Sequence, residues 1–240
     1  MTQKKQQDKK KANQIKAQDL VIVPKDQLGA LDNNPIDGID ESVYARIEKL
    51  TSWFVLRAPL SEVTRLANPG CIDVFKSDKE PAKGSRTRNK MDFEEGFINP
   101  LELDCTMFEF AYKRLSVKSM LDACDLRTNG EEVFGSLIER CVCFVGKNGS
   151  KEESCIESIC RHVRNAFAHG RIAVKVIEGE PFIFAEDGAP PRDIDYGGKK
   201  PGGEKLEIRF RMLLKVATLE EWRKILYFDS DTNSNVALSI

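Results

Sequence analysis

Residues 150–187, "SKEESCIESICRHVRNAFAHGRIAVKVIEGEPFIFAED", change their hydrophobic period once, at Gly170. Before it, Ile156, Ile159, Cys160, Val163 and Phe167 recur at i, i+3, i+4, i+7 and i+11, the spacing of a helix with one core-facing stripe. Ser150 and Glu153 fit a capping box that would open this helix, and Gly170 fits its C-terminal stop. After Gly170 the apolar residues alternate. "RIAVKVIEGEPFIFAED" therefore predicts two strands joined by a tight Glu178-Gly179-Glu180 turn.

Working outward, "EKLEIRFRMLLKV" predicts a third strand, and "TLEEWRKILYF" a last helix with a capping box at Thr218 and Glu221. Upstream, "NGEEVFGSLIERCVCFVG" is dense enough in apolar residues to predict a buried helix. "NPLELDCTMFEFAYKRLS" and "SVKSMLDACD" predict one long and one short helix. "DESVYARIEKLTSWFVLRAPLSEVTRLA" predicts two more, broken at Pro59. "SDKEPAKGSRTRNK", residues 77–90, predicts a cationic loop. The glycines and lysines of residues 197–203 lack the order of a phosphate-cradling loop and predict a mobile connection instead.

Composition bounds the class. The 240 residues are 41% hydrophobic and 31% charged, with a net charge of −1, which argues against a protein that coats nucleic acid non-specifically. A local basic site remains compatible with that sum. Residues 1–19 hold six lysines against two aspartates and little apolar material, so residues 1–39 are expected to form a basic, flexible tail and linker. Residues 40–94 are expected to be a helical extension packed on a domain spanning 95–240.

The N-terminus lacks the apolar core of a secretory signal, and the seven cysteines are odd in number. That combination points to free thiols in a reducing cytoplasm. Cys141, Cys143, Cys155 and Cys160 superficially resemble a zinc set. Placed on a helix, however, Cys141 and Cys143 would diverge, so no metal or other cofactor is expected.

Both histidines of the chain, His162 and His169, lie on the helix that ends at Gly170. A wheel places Arg161, His162, Asn165 and His169 opposite the core stripe, with Arg164 at the edge. Two readings follow from these residues alone. In one, Glu157 pairs with Arg161 and the histidines cap the helix C-terminus. In the other, a histidine shuttles a proton while an arginine stabilises charge developing on phosphoryl oxygens.

The phrase "RNAFAH", Arg164–His169, resembles the R-x4-6-H signature of the HEPN superfamily, with asparagine directly after the arginine. The likeness extends over roughly residues 95–230, as a long helix leading into a hairpin and a terminal helix. It implies a mainly α fold: a HEPN-like helical bundle with a small antiparallel β-hairpin or three-stranded element between the last two helices. It further implies a metal-independent endoribonuclease of the bacterial defence or growth-arrest toxin type. Arg164 and His169 would be catalytic and Asn165 orienting, with Arg161 and His162 as substrate contacts. Because the chain offers one such motif, RNA would be cut by a homodimer with the site at its interface. An antitoxin or sensor protein is a further implied partner. A non-catalytic HEPN adaptor, binding RNA, a nucleotide or a partner protein, is the alternative. Some HEPN toxins carry a tyrosine two residues after the histidine as a modification target; Arg171 stands there in this chain.

Overall fold

A computed structural model describes residues 15–25, 39–56, 86–127, 132–148, 151–197 and 204–226. The expected helix beyond Pro59, most of the cationic 77–90 loop, the tail before residue 15 and residues 198–203 lie outside these.

The described chain is mixed α/β, built on a six-stranded sheet, which corrects the expectation of a mainly α bundle. Its elements in chain order begin with β1 (Ile15–Lys16), β2 (Ile22–Pro24), α1 (Glu41–Leu56) and α2 (Arg86–Phe93). Then come β3 (Phe108–Ala111), α3 (Arg114–Ala123), α4 (Glu132–Gly135), β4 (Arg140–Phe144), β5 (Lys147–Asn148) and β6 (Lys151–Glu152). The chain closes with α5 (Cys155–Ala168), β7 (Ile172–Ile177), β8 (Glu180–Ala189), β9 (Ile194–Asp195), β10 (Lys205–Lys215) and α6 (Val216–Leu226). The main sheet runs β3-β4-β10-β8-β7, and β2 pairs with the start of β10. Strands β3 and β4 are parallel; the other pairs in this sheet are antiparallel.

The correction has a clear origin. "FEFA" and "RCVCF" lie in strands rather than in the long helix and the buried helix expected of them. Strand β4 lies between β3 and β10 and is covered on both faces: Cys141 and Cys143 face one core, Val142 the other. A strand buried on both sides has no polar alternation to separate it from a buried helix. The β7–β8 hairpin and the β10 strand form where the alternation predicts them. Glu178 and Gly179 both take positive φ, at 53° and 82°, in the tight turn that suits a two-residue hairpin. Within residues 1–39, Ile15–Pro24 are ordered: Ile15 and Lys16 pair with Ile194 and Asp195, and Ile22–Pro24 join β10.

One face of the sheet carries α5 and α6, with α1 packed against both. Phe54 of α1 stacks on Phe167 of α5 at 5.8 Å, and Trp222 of α6 meets Phe93, Phe97 and Phe108. The Trp222 indole N–H donates to the Phe97 carbonyl at 3.1 Å, so this large ring leaves no polar atom stranded. The other face is covered by α3 and α4 through Val117, Leu121, Val133 and Phe134. Helix α6 begins two residues before the expected capping box, at Val216. The Thr218 hydroxyl donates instead to Glu139, which also accepts the Lys215 amide at 2.8 Å.

Charge is buried within the sheet. Glu186 of β8 is fully enclosed between Arg171 and Arg211, with Arg211 Nε at 3.0 Å from Glu186 Oε2. Further donors of the two arginines reach carbonyls, Arg211 Nη1 to Leu126 O at 2.8 Å and Arg171 Nη1 to Lys25 O at 2.6 Å. Such a cluster is tolerable only because each charge has an opposite charge against it.

Candidate functional site

Helix α5 and its C-cap, His169, carry the sequence motif. Its capping box is formed by Ser154 and Glu157, four residues later than expected: Glu157 N donates to Ser154 Oγ at 3.1 Å and Ser154 N to Glu157 Oε2 at 2.8 Å. The expected core stripe of Ile156, Ile159, Cys160, Val163 and Phe167 is buried throughout. The helix ends as expected at Gly170, whose φ is +63°. Arg171 N donates to Ala166 O at 2.8 Å and Gly170 N to Phe167 O at 3.1 Å. These two bonds are a Schellman closure, which needs a residue in the left-handed conformation just past the helix.

This closure leaves His169 as the last residue before the turn, exposed to solvent. Arg164, one turn earlier, is also exposed. Its Nε donates to the Val55 carbonyl of α1 at 3.2 Å, and it forms no ion pair among the described residues. Asn165, partly buried between them, donates from Nδ2 to Asp187 Oδ2 at 3.0 Å.

His162 is not on the solvent face where the wheel put it; it is 1% exposed. It stands four residues after Ser158, seven after Cys155 and four before Ala166, all buried, so this row of small residues faces the sheet. There the ring stacks on Phe210 at 5.3 Å and 4°. Its Nδ1 lies 2.7 Å from Asp187 Oδ2, and its Nε2 lies 3.0 Å from Phe144 O and 3.3 Å from Arg161 Nη2. Because an ionised carboxylate only accepts, Nδ1 carries a proton and donates to Asp187. Burial works to raise the Asp187 carboxyl. The hydrogen bond and charge of His162, helped by Asn165, overcome it and hold the group below its ordinary value.

Arg161 is partly exposed but engaged. Its Nε lies 3.0 Å from Glu153 Oε1, its Nη2 2.8 Å from Glu153 Oε2, and Ser158 Oγ donates to the same carboxylate at 2.8 Å. Thus Glu153, expected to cap the helix, pairs with Arg161 in place of Glu157. Burial opposes ionisation of Glu153, yet the hydrogen bonds from Arg161 and Ser158 keep its pKa low.

The structure therefore divides the expected set. Arg164 and His169 reach solvent, Asn165 links them to the sheet, and Arg161 and His162 belong to a polar network underneath. Sequence reasoning missed Glu153 and Asp187 as members of that network. The signal for Asp187 was present: "FIFAED" puts two acids at the end of an apolar strand, where each needs a buried partner.

The cysteines that raised a zinc question are all buried in the α5-side core, Cys141 and Cys143 on one strand face and Cys155 and Cys160 on the helix. Burial pushes the thiols of Cys141 and Cys143 well up and that of Cys155 up to about 11, as expected for packing thiols. Among the described residues no three His, Cys, Asp or Glu side chains are grouped to hold a metal ion. No helix among them is long and apolar enough to cross a membrane.

No family model matches the chain, and neither does any curated protein or solved structure.

Proposed function

We propose that the chain is a metal-independent endoribonuclease of the cytoplasm, working as a defence effector or growth-arrest toxin, with Arg164 and His169 as its catalytic pair. The observation that supports it is the division of the polar set: the motif's arginine and terminal histidine are presented to solvent on a helix whose other faces are fixed. A pre-organised pair on a rigid element suits phosphoryl chemistry, where positioning and charge stabilisation supply most of the acceleration. These side chains carry the reading, and a helical bundle is not required for it.

In the reaction a ribose 2′-hydroxyl attacks the adjacent phosphorus, and the P–O5′ bond breaks. The products are a 2′,3′-cyclic phosphate and a 5′-hydroxyl. The 2′-hydroxyl proton leaves to a histidine base, the departing 5′-oxygen receives a proton from an acid, and Arg164 holds the non-bridging oxygens. One chain cannot fill both proton-transfer roles with histidine, because His162 is enclosed and bonded to Asp187 and Phe144. A symmetric homodimer supplies a second His169. Asn165, tied to Asp187, orients the end of the helix, and an antitoxin or sensor protein would govern access to RNA.

The test is incubation of single-stranded RNA in EDTA with wild type, His169→Ala and Arg164→Ala, all three confirmed folded. Cleavage by wild type alone, leaving cyclic phosphate ends, is the expected result. Equal cleavage by all three removes the site. RNA binding without cleavage by any of them replaces the enzyme with the non-catalytic adaptor.

A further inference from the structure

Strand β10 contains a bulge whose extra residue is Arg209: Ile208 pairs with Gly188 and Phe210 with Asp187, leaving Arg209 outside the ladder. A bulge re-aims the inserted side chain, and such irregularities concentrate beside functional sites. Gly188 makes this one possible, because a Cβ there would lie 2.6 Å from the Glu207 carbonyl oxygen. The Arg209 guanidinium lies over the Phe144 ring at 5.4 Å. The carbonyl of that same Phe144 touches His162, which in turn touches Arg161. Arg209 is therefore on the rim of the polar network under α5.

Its charge is poorly answered. Its carboxylate partner, Glu207 Oε2, lies 3.7 Å from Nη2, a long ion pair. Glu207 is already gripped by Arg114, with Nε at 2.8 Å from Oε1 and Nη2 at 2.5 Å from Oε2. Glu153 is likewise taken by Arg161 and Ser158. The Arg209 Nε is buried and has no hydrogen-bond partner among the described residues, while the side chain as a whole is 25% exposed. Burial lowers its pKa, and repulsion from Arg114 and Arg161 adds to that against the attraction of Glu207. Three guanidinium groups thus surround two carboxylates that are already engaged. Arg161 and Arg114 are also partly open, at 33% and 21%. Arg161 and Arg164 are three residues apart on one helix, hence neighbours on its surface. Arg161 thus stands one turn from Arg164 on the helix and close enough to Arg209 to repel its charge.

We propose that Arg209, flanked by Arg161 and Arg114, forms a subsite for an RNA backbone phosphate next to the one that is cut. A phosphodiester offers two charged oxygens to a planar donor fork, the geometry that arginine recognises best. The subsite fixes the register of the strand across α5 and carries no base preference. It rests on the ribonuclease reading for the identity of its ligand, and its test reads binding so that the two can fail separately.

The experiment uses the full chain carrying His169→Ala, with and without Arg209→Met, and measures the affinity for a fluorescein-labelled single-stranded oligouridylate across a salt series. Loss of one phosphate contact is expected to weaken binding roughly tenfold at low salt and to reduce the slope of log K against log salt by about 0.7. Arg209→Lys keeps the charge and is expected to restore the slope while recovering only part of the affinity. Should Arg209→Met not fold, Arg209→Gln carries the same comparison. An unchanged affinity and slope in a folded Arg209 variant overturns the subsite. If wild type cuts no RNA yet the Arg209 difference persists, the nuclease reading falls and the phosphate subsite stands. If wild type cuts RNA while the Arg209 variants bind normally, the subsite falls and the nuclease reading stands.

Discussion

Asp187→Ala removes the one acceptor shared by His162 Nδ1 at 2.7 Å and Asn165 Nδ2 at 3.0 Å. Both bonds go to an ionised oxygen in the interior, where hydrogen bonds to charged groups contribute about 1.5–3 kcal/mol each. Donors that share an acceptor do not add in full, so the combined loss is about 3–5 kcal/mol, the range for breaking one side of a buried charged pair. For a chain of this size that lowers Tm by roughly 8–15 °C. Asp187→Asn keeps the volume and one acceptor, and about half of the loss is expected.

A pH signature goes with it. The folded-state carboxyl is held below its ordinary 3.8, so the unfolded chain takes up the proton first as the pH falls. The contribution of Asp187 is complete above about pH 5 and is lost as the pH drops through the folded-state value. Urea unfolding, at neutral pH and again near pH 3, measures both effects. Wild type should lose more stability than Asp187→Ala between the two conditions. A variant within about 1 kcal/mol of wild type at neutral pH would refute the idea that this network holds α5 to the sheet.

Two further outcomes follow from the same interior. Glu186→Ala leaves Arg171 and Arg211 buried without a counter-charge and should cost about 3–5 kcal/mol, read as a fall in Tm. Gly188→Ala should destabilise more than Gly170→Ala. The first drives a Cβ into a backbone oxygen at 2.6 Å, whereas the second meets open space and bears only the left-handed φ penalty of about 1 kcal/mol. Unfolding midpoints of the pair decide the order.

The period change at Gly170 made half of the fold legible. A helix with one apolar stripe, a hairpin with its turn and a long strand were all readable, because each has one polar face or a sharp break in period. Strand β4 was not, since burial on both sides erases the alternation that marks a strand, and β3 keeps its Phe-Glu-Phe alternation over only four residues. The capping box was ambiguous by a single turn, as Ser150/Glu153 and Ser154/Glu157 both fit the pattern. Tertiary contact settles it: Glu153 is drawn off by Arg161 and Ser158, and Lys151–Glu152 pair with Lys147–Asn148.

The candidate site was legible to the same degree. Arg164 and His169 could be placed on a helix end from spacing alone. Whether His162 faced water or the sheet depended on its partners, Asp187 and Phe144, which lie 25 and 18 residues away in sequence. Arg209 sits on a bulge, and nothing in "IRFRM" announces where a strand takes on an extra residue.

Arg171, two positions beyond His169, holds the carbonyl of Lys25 through Nη1. The turn that presents the exposed histidine is thereby moored to the beginning of the described chain. Trimming the protein ahead of Ile15 leaves that mooring untouched. A cut that also removes Pro24 and Lys25 takes both carbonyl acceptors from Arg171 Nη1 and leaves its pairing with Glu186, so a missing N-terminus would be felt at the helix end that carries His169.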